Sequence, residues 1–455
     1  MSHVTADHAA RVPGRPAPYR RGLPWVGQTL RYVRDPLTLM REQHARYGPV
    51  SEMDFLGDRW TVLLGPDACE EAFRNPEKAF ASGPGWGRLV GPFFHGGLML
   101  LDFEEHHRHR RALQAALTRE HVARYAEAAQ APVREAVAAL PTGTDLRVYD
   151  RLKTMTLDVA TTVFMGEADA DPAELAEANQ AFIACVQAAT ALVRLDVPGT
   201  RWGRAHAGRQ LLEDFFRRRL PAKRAGDGTD LFGVLARLTD DDGTLALSDD
   251  DVVNHMIFLL MAAHDTSTIS TTTMVQLLGQ HPDWQERCRE QAMALPTDPT
   301  LDDLDTLTDL DLVMKEALRL VPPVPVVARR TVKDTQVLGV EVPADRYVSV
   351  MLHLSHHLPE YWSEPERFDP ERFSRERRED ASHRHAWDPF GGGVHKCLGL
   401  VFARFEVLTI VANLLRERRW SIDPGYRAPL SYASLPFPTD GLPVRMEPLR
   451  RGVGA

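Results

Sequence analysis

Apolar residues recur along this chain mostly with a helical period, interrupted by a few short alternating runs. Leu37, Leu39 and Met40 open one amphipathic stretch, and Tyr47-Gly48-Pro49 closes it, so a helix is expected over Pro36 to Tyr47. Val50–Phe55 and Trp60–Leu64 flank Leu56-Gly57-Asp58-Arg59 and predict a hairpin. Residues 82–99 hold six glycines among Phe93, Phe94, Leu98 and Met99, and read as a long loop that is either poorly ordered or covers apolar material. From His106 to about Glu290 the pattern is mostly helical. Ser248 with Asp251 three residues on forms a variant capping box, and the helix it opens runs to about Gly279, roughly 45 Å at 1.5 Å per residue. Its centre, Met256 to Ala263, is apolar on every side, which predicts burial across a whole domain. A further helix is expected over Asp309 to Leu320, stopped by Pro322-Pro323. Strands are expected within Thr331 to Ser349, irregular chain over 356–396, and helix again from Cys397 to about Arg416. The fold class is therefore mainly α with small β-sheets, a single large domain with a long central buried helix.

Composition narrows the function. The 455 residues carry 54 basic against 63 acidic side chains, a mildly acidic balance that argues against nucleic-acid binding as the main task. The four cysteines, Cys69, Cys185, Cys288 and Cys397, form no CxxC pair and suit free thiols in a reducing cytosol. Residues 1–21 read as a disordered tail, 22–450 as the folded domain and 451–455 as a second tail. The N-terminus lacks a signal-like apolar stretch, and the longest apolar run is far short of the roughly 18 residues of a membrane span. No membrane anchor is expected, and the setting is read as cytoplasmic. Asp240-Asp241-Asp242-Gly243 resembles part of a calcium loop without its later ligands, and reads as a solvated turn.

One cysteine has an unusual setting. Phe390-Gly391-Gly392-Gly393-Val394-His395-Lys396-Cys397-Leu398-Gly399 precedes a helix, whose positive dipole end favours a thiolate. Gly393 can take backbone angles closed to other residues. Gly399 lets a flat ligand approach the backbone. Lys396, and His395 if protonated, place positive charge beside the sulfur. The pattern Phe-x-x-Gly-x-x-x-Cys-x-Gly has a chance expectation on the order of 0.001 in such a chain.

This segment resembles the haem-binding loop of the cytochromes P-450. The resemblance implies the cytochrome P-450 fold over roughly 22–450 and haem b as cofactor. It makes Cys397 the axial ligand of the haem iron, its electron donation favouring O–O cleavage. Phe390, Gly393 and Gly399 then shape the loop. Other segments fall in the family's order. Glu316 and Arg319, three apart on one helix face, match its ExxR pair; about two or three such matches arise by chance, so position rather than pattern gives this one weight. With Arg372 of Phe368-Asp369-Pro370-Glu371-Arg372-Phe373 they resemble a Glu-Arg-Arg network that holds the loop. Arg367, in a second Pro-Glu-Arg-Phe copy, is an alternative to Arg372. Ala262-Ala263-His264-Asp265-Thr266 resembles the oxygen-activation stretch, where an acid and an alcohol relay protons, so Asp265 and Thr266 take the catalytic roles. Ala263 stands where the family often has Gly. The hydroxyls from Thr266 to Thr273 can bond back to carbonyls and bend the helix, and a bulge there would make room for dioxygen. His106 and Arg110, at i and i+4, together with Arg329 (Arg330 is a neighbouring alternative) and His395, match the donors to the haem propionates. A surface zinc site from His106, His107 and His109 is the competing reading.

The resemblance implies a monooxygenase that inserts one atom of O2 into a lipophilic small molecule, by hydroxylation or epoxidation. Electrons would come from a ferredoxin and ferredoxin reductase, docking near Arg108, Arg111, Lys396 and Arg404. An apolar lining is expected from Phe93, Phe94, Phe182, Leu192, Val193, Val324, Val326, Val327 and Phe437, with Ser431 to Phe437 as a lid. Two alternatives remain open: a hydrogen-peroxide-driven peroxygenase of the same fold, which would not need Asp265, and a non-enzymatic haem-thiolate sensor.

Overall fold

Helix Pro36–Tyr47 forms with the expected bounds. Asp35 caps it, its carboxylate accepting from the Thr38 amide at 3.0 Å. The hairpin follows as Val50–Phe55 against Asp58–Leu64, in register from Val50–Leu63 to Phe55–Asp58. The structure, a computed structural model, describes residues 14–55, 57–166, 171–189 and 194–449. The expectations for residues 1–13, Leu56, Leu192, Val193 and 451–455 lie outside the described residues.

The hairpin does not stand alone. Asp58–Leu64 pairs in parallel with Tyr347–Met351, which pairs antiparallel with Val327–Thr331, and Phe80–Ala81 adds to the far edge. With Tyr19–Arg20 this makes a six-stranded sheet. A smaller sheet joins Arg418–Ser421, Pro443–Pro448 and Gly143–Arg147. Leu430–Ser431 pairs with Phe437–Pro438, so the segment expected as a lid is a hairpin. The remainder is mainly helical.

The central helix spans Asp249–Gln280, one residue beyond the expected end, and its capping box is complete: Ser248 Oγ accepts from the Asp251 amide (3.2 Å) while Asp251 accepts from that of Ser248 (3.1 Å). Most of it is buried on every side. The exception is its middle, where Leu259, Met261, Ala262, Ala263, Asp265 and Thr266 keep accessible surface. A mainly apolar opening with an acid and a hydroxyl beside it, half-way along a core helix, marks a site rather than a packing seam. Helix Thr308–Leu320 ends as expected, with Val321 driven to an extended backbone ahead of Pro322.

The expected loop at 82–99 is instead a helix, Gly83–Phe94, followed by a short 3-10 turn at Leu98–Leu100. Tertiary contacts override the poor helix propensity of its glycines. Asp102 accepts from the Ser82 and Gly83 amides (2.6 and 2.9 Å), capping the helix from a distant position in sequence. A β-carbon at Gly85 would sit 2.6 Å from Arg329 Cα, so the glycine lets the helix rest on that strand. Gly97 closes on Phe258 of the central helix in the same way, at 2.5 Å.

Candidate functional site

Cys397 lies just outside the helix Leu400–Glu417, two residues before its N-cap, Gly399. Its amide donates to the Phe390 carbonyl at 2.9 Å and closes the loop. Gly393 has φ +64, and a β-carbon there would meet the Phe73 carbonyl oxygen at 2.2 Å, so the glycine is required twice over. A β-carbon at Gly399 would meet only Cys397 Sγ, at 3.9 Å, leaving the sulfur open on that side. Cys397 sits deep in the molecule yet keeps accessible surface, unlike the other three cysteines. Burial pushes its thiol pKa up; the Gly399 amide, Arg110 and Lys396 pull it back.

Two further segments converge on this loop. Helix Phe103–Ala116 carries His106 and Arg110 on one face, the strand Val327–Thr331 carries Arg329, and the loop itself carries His395. The rings of His106 and His395 lie 4.0 Å apart. His106 is buried with no partner for either ring nitrogen among the described residues. Arg110 donates to the Lys396 carbonyl at 2.7 Å. Arg329, also buried, donates to the Ala328 carbonyl (2.8 Å) and weakly to Ser82 Oγ (3.5 Å), with no ion pair among the described residues. Arg330 points to the other face of the strand and pairs with Asp345 at 2.8 Å, which leaves Arg329 as the inward arginine.

The shifts follow from this crowding. Burial, then Arg329, His106 and Arg110, push His395 down to about 2. Burial, then Arg110, pushes His106 down to about 4. Burial lowers Arg329 to about 10, with only Asp102 pulling the other way. His395 is therefore neutral at pH 7, contrary to the expectation that it could add charge beside the thiol. Asp102 alone does not balance this cluster, which is short of negative charge and of acceptors. The three histidines of the zinc reading diverge: His109 bonds His255 at 2.8 Å while His107 is exposed. No group of three metal-ligating side chains occurs among the described residues.

Behind the loop, Glu316, Arg319 and Arg372 meet with no exposed surface. Arg319 donates twice to Glu316 (2.7 and 2.9 Å), and Arg372 adds a bond at 3.1 Å. Arg319 also donates to the carbonyls of His356 and Pro365, both at 2.8 Å, tying the helix to the irregular segment that leads to the loop. Arg367 is on the surface, paired with Glu364 at 2.9 Å, so the geometry selects Arg372. Glu379 is a fourth member that sequence reasoning missed, accepting from Arg372 at 2.7 Å. No local pattern marks it.

In the open middle of the central helix, Asp265 pairs with Lys153 Nζ at 3.0 Å and lies 3.4 Å from His264 Nδ1. Thr266 donates to the Ala262 carbonyl at 2.8 Å; Thr268, Ser270 and Thr272 repeat the pattern. The helix stays α-helical throughout, so the back-bonded hydroxyls produce no separate bulge. Phe93, Phe94 and Phe182 are wholly buried core residues and do not line the opening, whereas Val324, Val326, Val327 and Phe437 keep accessible surface. Arg404 is bound to Asp305 and Asp311 (2.6 and 2.7 Å), which removes it from the expected docking face.

A second missed residue is Glu406. Ser267 of the central helix donates to its Oε2 at 2.5 Å, its Oε1 has no partner among the described residues, and burial pushes its pKa up to about 8. An ionisable residue inside Val401–Val411, an otherwise largely apolar helix segment, is the signal that could have found it. The folded state keeps a proton that the unfolded chain loses above about pH 4.3. Stability from this group is therefore full below that pH and falls by about 1.4 kcal/mol per pH unit until about pH 8. Glu406→Gln is expected to flatten that slope. The check is thermal midpoints of both proteins between those limits, with the variant gaining on wild type as pH rises.

The chain is similar to known proteins along most of its length. The family model described as Cytochrome P450 matches residues 16–443. A Mycobacterium tuberculosis chain assigned as cytochrome P450 136 is 42% identical over 432 residues, covering 94% of this chain and 87% of that one. Abscisic acid 8'-hydroxylase 2 of Oryza sativa subsp. indica is 29% identical, covering 94% and 86%. A cyanobacterial cytochrome P450 solved with retinoic acid bound superposes with a TM-score of 0.83 at 28% identity, covering 96% of this chain and all of that one.

Proposed function

Because the chain belongs to the cytochrome P450 family, whose haem-iron monooxygenase chemistry it shares, we propose that it oxidises a lipophilic isoprenoid, with haem b held by Cys397. The observation that carries this reading is the donor set around the loop. His106, Arg110 and Arg329 present donors, and His395 a neutral ring, in a place short of negative charge, which suits the two carboxylates of a haem. The accessible thiol of Cys397, the open face of Gly399 and the buried Glu316-Arg319-Arg372 network fit the same group. When bound, haem supplies activation of O2 and oxygen transfer to carbon. The domain is taken as 22–450.

The protein's own contributions are position and protons. Glu316, Arg319 and Arg372 fix the loop, so the sulfur is presented in one orientation. The open middle of the central helix, with Val324, Val326 and Val327, offers an apolar face to substrate. Asp265, tied to the partly exposed Lys153, connects the interior to solvent, and the Thr266 hydroxyl is one residue on. Turning away from Lys153 would let the carboxylate pass a proton toward that hydroxyl.

Isoprenoid chemistry is proposed because retinoic acid and abscisic acid, each named with one of the similar proteins, are both isoprenoid acids. Electrons are proposed to come from a ferredoxin and its reductase in the cytoplasm, docking near Arg108, Arg111 and Lys396. The test is a panel of isoprenoid acids and alcohols scored by substrate-induced spin shift of the haem enzyme, then by product with a ferredoxin system. Spin shifts confined to non-isoprenoid compounds would overturn the substrate reading. Asp265→Asn is expected to lower ferredoxin-driven kcat about a hundredfold with little change in KM. An unchanged peroxide-driven rate in wild type and variant, with no ferredoxin-driven product, would favour the peroxygenase alternative.

A further inference from the structure

None of the steps above uses His264, the residue before the acid in the open stretch of the central helix. Its side chain is 1% exposed, and its ring meets that of Phe182 edge to face at 5.7 Å. Both ring nitrogens face oxygen. Nε2 lies 3.1 Å from the Lys153 backbone carbonyl, which can only accept, so Nε2 carries a hydrogen. Nδ1 lies 3.4 Å from Asp265 Oδ1 and has no hydrogen-bond partner among the described residues.

Counting protons exposes a conflict. A neutral imidazole has a single N–H, and the Lys153 carbonyl takes it. A bare Nδ1 would then face an ionised carboxylate, lone pair to lone pair, where little water can reach. One further proton removes the conflict, on Nδ1 or on the Asp265 oxygen. The 3.4 Å separation is just beyond hydrogen-bond contact, and a small turn of either side chain closes it.

The surroundings keep that proton mobile. Burial holds the His264 pKa below the usual histidine range; Asp265 opposes this, and the Lys153 ammonium adds to it. Lys153 Nζ sits 3.0 Å from the same Asp265 oxygen and is 31% exposed, so the pair meets solvent at that end. Tyr149, on the same helix as Lys153, is the other titratable group that feels the Asp265 charge. The helix Pro172–Ala189 presents the uncharged Phe182 ring. An ammonium gives up a proton reluctantly near neutrality, whereas an imidazole exchanges one readily.

We propose that His264 and Asp265 hold one shared proton between them, and that His264 is the positioning residue that recharges the acid. This rests on the reading of Asp265 as the group that passes protons to the Thr266 side. Each proton that Asp265 passes on is replaced from Nδ1. The N–H bond there breaks as an O–H bond forms on Asp265, and no electrons leave the pair. The ring, then neutral, is reprotonated by water reaching the pair beside Lys153.

The test compares ferredoxin-driven turnover of wild type, His264→Gln, Asp265→Asn and the double variant between about pH 6 and 8. Glutamine keeps a donor for the Lys153 carbonyl but cannot carry the extra proton. His264→Gln is expected to lower kcat about tenfold at the upper end of this range and less at the lower end, with KM unchanged. Wild type should lose much less across the same range. In the Asp265→Asn background the change should cost nothing further, since residues that act as one unit are not additive. A readout free of turnover locates the proton itself. Nitrogen-15 spectra of the histidine-labelled, CO-bound ferrous enzyme report Nδ1, and the infrared carboxyl stretch reports Asp265, each assigned by its change in Asp265→Asn. A bare Nδ1 beside an ionised Asp265 at neutral pH overturns the proposal. So does an equal fractional loss for His264→Gln in both backgrounds and at every pH, which would make His264 a packing residue. The spectra need no His264 variant, so they decide even where that variant loses haem. Absence of product from wild type would sink the monooxygenase reading, and the spectra would still judge the shared proton.

Discussion

Cys397→Ala is expected to abolish both the thiolate signature and the activity, leaving a reduced CO-bound spectrum without the strong red shift and turnover at background. The physical ground is that no other cysteine can substitute. Cys69, Cys185 and Cys288 are buried, and burial pushes each thiol up to about 12, so none ionises near neutrality. Cys397 alone combines accessible surface with an amide and two cations acting on its sulfur. Cys397→Ser separates ligation from packing, since the hydroxyl fills nearly the same space without a soft, anionic donor. A thiolate spectrum that survives in Cys397→Ala would place the ligand on another cysteine and overturn the assignment.

The second large effect is expected behind the loop. Arg372→Ala leaves Glu316, wholly buried, with one arginine in place of two, and takes one of the two arginines from Glu379 as well. Removing one partner from a buried ionic network costs about 3–5 kcal/mol, here because Glu316 and the carbonyls of Ser363 and Arg367 lose a donor in a site closed to water. Arg372→Lys should rescue little, since a single ammonium cannot reach Glu316, Glu379 and the carbonyls of Ser363 and Arg367 together. Arg367→Ala should cost below about 1 kcal/mol, as its partner Glu364 is also exposed. Denaturant unfolding of the three variants gives these differences directly, and haem content reports whether the loop is still held. Equal losses for Arg367→Ala and Arg372→Ala would contradict the geometry.

Much of the architecture was legible because it is locally encoded. Helix Pro36–Tyr47 and the hairpin after it are bounded by Gly and Pro and follow their periods, and the capping box at Ser248 marks the central helix to the residue. The helix Gly83–Phe94 was not legible, because what makes it a helix lies elsewhere: a cap from Asp102 and a seat on Arg329. The site divides in the same way. The cysteine loop and the spacing of Glu316 with Arg319 are visible in the sequence. Glu379 joins their network only through the folded path of the irregular segment. Glu406 could have been found by the reasoning applied to Asp265, an acid in an apolar helix. The lining was overstated because Phe93, Phe94 and Phe182 are apolar for the sake of the core.

The contact at Gly85 works as a steric ruler. The helix Gly83–Phe94, a roof held beside the central helix where Gly97 meets Phe258, rests directly on the backbone that carries Arg329, with less than a methyl group of clearance. Roof height is then set by an absent side chain and cannot be lowered further. Any larger residue at 85 lifts the roof or slides it along the strand, changing its distance from Arg329 and from the central helix while every other side chain stays the same. Relatives with the same wall residues but a different residue at this point should therefore accept differently shaped molecules, a source of selectivity that no inventory of lining side chains would reveal.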